Sequence, residues 1–284
     1  LESHSRTKER PRNYGFKAGG ICELTPKHSI GLEADYWRTN EPGINDTHTD
    51  FTAAGIPTRT ESRYDAHNRQ NNLSATFNYI FKLDTAGSTL KLLADYNLRT
   101  SDSGNDNSSR IASPGGTLDS LYRNRSTAHY NVATATLALD KHFGPKWTLR
   151  AGAKYTYNDM RNHALYEYRP AETWLRDEAH SFRLDYTEHI AAVYGIVAAN
   201  LGRWSAVAGL RGEYTRTAGK NDGTRQDYFS LFPNASVSYA LTRDGAYSLI
   251  GQYARTIGRP RFWCLNPQRV QISDYTYQTG NPEL

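Results

Sequence analysis

The rhythm of its connections restricts this chain more than any other feature. About ten stretches alternate apolar and polar residues, and short polar turns and long polar segments join them in strict succession. Alternation of period two marks an extended strand with one apolar face. In residues 204–215, Trp204, Ala206, Ala208, Leu210 and Tyr214 share one face, while Ser205, Arg211, Glu213 and Thr215 share the other. A half-buried soluble strand alternates in the same way, so the pattern alone leaves the neighbour of the apolar face open.

The connections separate the cases. Short turns fall near residues 25–28, 84–88, 144–146, 202–203 and 243–246, and long segments near 38–62, 100–120, 169–179 and 218–226. In a soluble sandwich or propeller both strand ends meet the same water, and nothing sorts connections by length. In an outer-membrane barrel, short turns lie on the periplasmic side and long loops outside. No segment of helical period exceeds two turns. The expected fold is therefore all-β, an antiparallel up-and-down transmembrane β-barrel of about ten strands. Aromatic positions fit two girdles. Trp147 and Trp204 follow short turns, and Tyr96, Tyr155, Tyr157 and Tyr214 lie further along the apolar faces. For the seventh strand the pattern selects Ile190, Ala192, Tyr194, Ile196 and Ala198 as the apolar face.

Composition agrees. The 284 residues are 38% hydrophobic, mean hydropathy is −0.73, and no run approaches the roughly 18 apolar residues of a membrane helix. Barrel strands never need such a run. The net charge of +5 arises from 34 basic and 29 acidic residues that are interspersed, which argues against a nucleic-acid partner. Arg6, Lys8, Arg10 and Arg12 cluster in a polar opening segment that reads as a solvated loop or tail. That opening lacks the apolar core of a signal peptide, so the chain is expected to be a trimmed protein or an internal piece. Cys22 and Cys264 fall at opposite strand ends, too far apart to bridge, and are expected as free thiols.

Charges opposite the apolar faces are candidates to line a lumen: Glu33, Asp35, Lys91, Asp95, Arg150, Lys154, Arg211 and Glu213. Charges at membrane depth must face water or one another. The same residues also suit cross-strand pairs and contacts with a plug, and Arg211 with Glu213 is the pairing expected first. Recognition lives on loops held by a rigid scaffold. Trp37, Trp174, Phe262 and Trp263, near the bases of long segments including 257–284, are candidate ligand anchors or belt residues. No catalytic motif, cofactor fingerprint or metal-ligand spacing occurs, so neither an enzyme nor a cofactor is expected.

Several segments resemble a known family. Tyr186-Thr-Glu-His-Ile-Ala-Ala-Val-Tyr194, Gly209-Leu-Arg-Gly-Glu-Tyr-Thr215 and Tyr228-Phe-Ser-Leu-Phe-Pro-Asn234 are similar to strands of TonB-dependent outer-membrane receptors. So are Tyr253-Ala-Arg-Thr-Ile-Gly-Arg-Pro260, Leu265-Asn-Pro267 and Gly280-Asn-Pro-Glu-Leu284. The resemblance implies a 22-stranded barrel in the Gram-negative outer membrane, of which residues 1–284 would be a partial barrel domain. The plug domain and remaining strands are not recognised in this sequence. It further implies outer-membrane lipid, a plug domain, the TonB complex and an imported siderophore, glycan or peptide as partners. Two alternatives stay open: a complete small porin or adhesin barrel, and a soluble all-β binding module.

Overall fold

The computed structural model describes residues 2–53, 55–220, 225–259, 264, 270–273 and 276–281. Their strands are β1 (Glu2–Glu9), β2 (Arg12–Thr25), β3 (His28–Ala53), β4 (Ile56–Lys82), β5 (Thr89–Ser113), β6 (Gly116–Phe143) and β7 (Trp147–Tyr168). There follow β8 (Leu175–Arg176), β9 (Phe182–Leu201), β10 (Trp204–Gly219), β11 (Arg225–Ala240), β12 (Ser248–Ala254), β13 (Val270–Ser273) and β14 (Thr276–Gln278). One antiparallel sheet holds β1 to β12, and β13 pairs separately with β14. β1 and β2 lie in line along β3 and are separated at Pro11, which has no N–H to give to the ladder. The basic opening segment expected as a tail is thus mostly strand: Arg6 stands opposite Asp46 and Lys8 opposite Ile44. Every other step along the path joins neighbours in sequence, except that β7 to β9 passes over the short β8, which pairs with β7, so the wall is up-and-down. Its two ends do not pair with each other among the described residues, and the sheet is open.

The apolar side chains are on the outside of this wall. Leu32, Val193 and Leu210 are 62%, 64% and 51% exposed, while the most completely buried side chains are Asn162, Thr60, Thr215 and Ser88. A soluble fold would reverse that distribution. Cross-strand partners share a face, and the outward row through Leu32 continues across Phe77, Ala94, Ala135, Tyr155, Ala191 and Tyr214.

Register corrects the seventh expected strand. In β9, Ala191, Val193, Gly195 and Val197 stand opposite Tyr155, Ala153, Ala151 and Leu149 on the outward face. Ile190, Ala192, Tyr194, Ile196 and Ala198 lie on the inner face, with Tyr194 opposite Arg211 and Ala192 opposite Glu213. β9 is apolar on both faces, so its own alternation cannot select one; its neighbours do.

Girdles bound the outward face. At the short-turn end, Trp147 is opposite Phe143, and the Trp204 ring lies 4.6 Å from that of Tyr239. At the other end four tyrosines repeat one contact. Tyr36 donates its hydroxyl to Asn71 (3.1 Å), Tyr96 to Asn131 (3.1 Å) and Tyr214 to Asp227 (3.0 Å), and the Tyr155 hydroxyl meets His189 Nδ1 at 2.7 Å. Each acceptor lies on the following strand, one outward-facing position beyond the direct partner. A tyrosine ring in lipid with its hydroxyl in the polar layer accounts for this level. Trp204 to Tyr214 is about 33 Å of strand at ~3.3 Å per residue, and about 23 Å in height at a ~45° tilt.

Two of the segments expected as long loops are strand. β3 and β4 stay paired out to Ala53 and Ile56, and β5 and β6 to a tip at residues 114–115. Beyond the membrane both faces are wet, so the hydrophobic alternation ends while the backbone ladder continues. Ion pairs replace it: Arg59 with Asp50 (2.9 Å), Arg110 with Asp119 (2.9 Å) and Arg125 with Asp106 (2.7 Å). The segment between β7 and β9 remains largely a loop, carrying the short β8, and residues 221–224 of the segment expected at 218–226 lie outside the described residues.

At the opposite end the turns are tight. Gly202, between β9 and β10, has φ 69°, a left-handed conformation that suits glycine. Asp84 closes the β4–β5 turn, accepting from the N–H groups of Ala86 (2.9 Å) and Ser88 (3.0 Å) and from Lys141 Nζ (2.7 Å). Lys141 first, then Ser88, hold its carboxyl well below the usual carboxylate range. A depressed folded value stabilises the fold above the unfolded value and ceases to do so as pH falls through the folded one. The unfolding midpoints of wild type and Asp84→Asn should differ by a constant amount above pH about 5 and converge as pH drops below about 4. A difference independent of pH down to strong acid would contradict this.

Candidate functional site

The inner face of the wall is polar and cross-linked. Glu33 pairs with Lys17 Nζ at 2.7 Å, and Asp35 stands directly opposite Lys17. Asp95 accepts a hydrogen bond from Thr76 Oγ1 at 3.0 Å. Lys91 and Arg150 meet on one carboxylate, Asp140, at 3.1 and 3.5 Å. Lys154 stands between Thr136 and Ala192 on the neighbouring strands. Tyr194 lies flat across Gly152, where an added Cβ would come within 2.6 Å of its hydroxyl. The ring thus occupies the space between Arg150 and Lys154.

Arg211 and Glu213 form the tightest part. Arg211 Nε donates to Glu213 Oε1 at 2.6 Å, and Arg259 Nη2 donates to Glu213 Oε2 at 2.6 Å and to Thr215 Oγ1 at 3.2 Å. Only 9% of the Glu213 side chain is exposed, against 31% for Arg211 and 27% for Arg259. Both carboxylate oxygens are thus engaged by guanidinium groups, the strong form of this contact. Arg259 comes from the segment after β12, so this carboxylate fastens that segment to the inner wall. Tyr186 lies on the same face nearer the rim. Burial, then the charge of Glu188, pushes its hydroxyl up to about 12, against an opposing hydrogen bond to Thr217. It therefore remains a neutral donor at any physiological pH.

The aromatic candidates separate. Trp37 points to the inner face, the side opposite Tyr36. Trp174, in the β7–β9 loop, packs beneath the Arg123 guanidinium, 4.3 Å from ring centroid to Cζ, and Arg123 also donates to Glu167 at 2.6 Å. Phe262 and Trp263 lie outside the described residues. Beyond the membrane a cleft of about 800 Å³ opens across β1 and β3 to β6. It is centred on the cross-strand row Ser5, Thr47, Ser62, Ser109 and Ser120. Cys22 and Cys264 are free.

Sequence reasoning missed Lys17, Asp140 and Arg259. Lys17 and Asp140 were legible, since alternation along their strands puts both on the polar face. Arg259 follows the last strand of the sheet, and no periodicity carries it back to Glu213.

A family model described as "Outer membrane protein beta-barrel family" matches residues 81–284. No curated protein matches the chain. Among solved structures, the chain is similar to the ferripyoverdine receptor of the outer membrane of Pseudomonas aeruginosa, with TM-score 0.50 and 11% identity over 89% of this chain and 41% of that one. Others are the ferric-catecholate import receptor Fiu of E. coli K12 (TM-score 0.49, 9% identity, 89% and 49%) and the copper transporter OprC (0.47, 10%, 93% and 46%). The chain spans less than half the length of each.

Proposed function

Because the chain belongs to the outer membrane protein beta-barrel family, we propose that it forms part of the wall of a receptor for TonB-coupled uptake of a scarce ligand. Family membership puts it in the outer membrane of a Gram-negative bacterium. The inner wall is the observation that carries the transport reading. It is lined with paired charges and buried hydroxyls, the polar interior of an outer-membrane barrel against which a plug or a hydrated ligand can rest. The open sheet also speaks against a complete ten-stranded porin, in which β12 would pair with β1 or β2.

In this reading a plug domain rests against the inner wall, the TonB complex acts on the plug, and the tall hairpins receive a siderophore, glycan or peptide. Plug and remaining strands belong to parts of the protein other than this chain. Ferric siderophores are the first probes, given the shared fold with the ferripyoverdine receptor. The test is uptake by the full-length protein in a host stripped of its own receptors, with a panel of labelled ferric siderophores, oligosaccharides and peptides. At least one probe should accumulate, and only when TonB is present. Accumulation that persists without TonB would indicate a passive porin, and no accumulation of any probe would remove the import reading.

A further inference from the structure

We propose that the inner face of β3 to β6, above the tyrosine girdle, binds an uncharged oligosaccharide, taking this wall to belong to the import receptor described above.

The two faces of the tall hairpins are sorted by charge. Hydrophobic alternation stops at the girdle, but alternation itself does not. β4 places Arg59, Glu61, Arg63, Asp65 and Arg69 outward and Thr60, Ser62, Tyr64, Asn68 and Gln70 inward. β5 and β6 repeat the pattern, with Asp106, Arg110, Asp119 and Arg123 outward and Asn105, Asn107, Tyr122 and Asn124 inward. No bulge interrupts the register, so each face is continuous with the same face at membrane depth. From Thr39, Gln70, Ser101 and Ala128 toward the tips, Glu41 is the only Asp, Glu, Lys or Arg on the inner face of these strands among the described residues. Asn68 Nδ2 donates to that carboxylate at 2.9 Å.

Water alone does not produce this sorting, since it solvates charged and neutral polar groups alike. Apolar packing does not produce it either. Thr60, Ser62, Asn107 and Ser109 are 1%, 5%, 3% and 6% exposed, and valine or leucine would fill such positions without needing partners. Uncharged hydroxyl and amide groups suit a neighbour that is itself polar and neutral. A charge covered by such a neighbour loses its water with no counter-ion in return, whereas a hydroxyl or amide exchanges one hydrogen bond for another.

Asn105 is at the centre of the face. It is half-buried and stands between Ala66 and Asn124, and its N–H donates to Asn124 Oδ1 at 3.1 Å. One inward position further, Asn107 Oδ1 accepts from Ser109 Oγ at 3.0 Å. Asn105 Oδ1 and Asn107 Nδ2 have no hydrogen-bond partner among the described residues. A buried acceptor and a buried donor are thus left about 7 Å apart along one strand. Hydroxyl groups both donate and accept, so a ligand with a row of them satisfies both amides. Tyr64 and Tyr122 flank Asn107 on the adjacent strands and offer rings to the apolar face of a sugar. Aromatic walls with a few placed amides and hydroxyls are a common form of small-ligand site. An anionic siderophore would call for arginine or lysine on this face instead.

The test applies full-length protein in detergent to an array of neutral and uronic-acid-containing oligosaccharides, with a ferric catecholate siderophore and hexa-alanine titrated alongside. At least one neutral oligosaccharide should bind, about tenfold or more tightly than its uronic-acid counterpart of equal length. The double variant Asn105→Asp, Asn107→Asp replaces two amide nitrogens with oxygens and puts charge on the inner face. It should weaken that binding about tenfold or more. Asp106→Asn, the reverse change at the outward position between them, should leave binding within about twofold. Folding is checked by heat-modifiable migration, and if the double variant does not fold, Asn105→Ala is compared instead. Binding of no neutral oligosaccharide, tighter binding of the acidic counterparts, or undiminished binding by the variant overturns the proposal. An equal loss in Asp106→Asn also overturns it, because the effect would not follow the face. TonB-dependent uptake of the siderophore or the peptide, without binding of any neutral oligosaccharide, sinks this proposal alone. A neutral oligosaccharide that binds but never accumulates in cells upholds the site and removes the import reading.

Discussion

Arginine at Val197 is expected to destabilise the protein in lipid by about 2–4 kcal/mol, the cost of a cation on the lipid face near the bilayer midplane. Arginine at the adjacent Ile196 should cost about 1 kcal/mol or less. Ile196 faces the lumen, and its nearest like charge is Arg150 on the neighbouring strand. Two unit charges ~4 Å apart in water repel by only ~1 kcal/mol. The two positions are adjacent, β-branched and similar in size, so composition and propensity cancel and only the face differs. Guanidinium unfolding of the full-length protein from lipid vesicles measures the difference. Equal costs would mean that the two faces of β9 are not distinguished by lipid.

Glu213→Ala should produce the largest loss on the inner wall. Removing one partner of a fully buried pair costs about 3–5 kcal/mol because the other charge is stranded. Arg211 and Arg259 each keep roughly a third of their surface in water, so about 2–3 kcal/mol is the expected cost here. Arg259→Ala should cost less, since Glu213 keeps Arg211. Both variants should free the segment after β12 and speed its cleavage in limited proteolysis, whereas Arg211→Ala should leave it fastened. If neither variant alters cleavage, the Glu213–Arg259 contact does not anchor that segment.

The wall and its sidedness were legible because lipid imposes a strict rule on one face, and residues such as Ala206, Ala208 and Leu210 obey it. Legibility failed where that rule does not apply. In β9 Ile190, Ala192 and Ile196 are as apolar as Val193 and Val197, and only pairing with Arg211, Glu213 and Tyr155 separates them. Above the girdle the strands carry His48, Glu61 and Arg63, which look like loop residues because water touches both faces. Of the inner wall, Arg211 with Glu213 could be paired from their spacing of two. The joining of Lys91 and Arg150 through Asp140 depends on register between strands, and Arg259 on the path of a segment with no period at all.

The uninterrupted register of the β3–β4 hairpin, in which Tyr36 stands opposite Leu73 and Ala53 opposite Ile56, also limits how such a hairpin can change length. One residue added to each arm would turn every side chain beyond it to the other face, bringing Asp50 and Arg59 inward and Thr49 and Thr60 outward unless bulges absorbed it. Two residues added to each arm would leave all existing faces as they are. Hairpins of this kind are therefore expected to grow and shrink in even steps, so that a lineage can lengthen its reach into the surroundings without disturbing the membrane-embedded part.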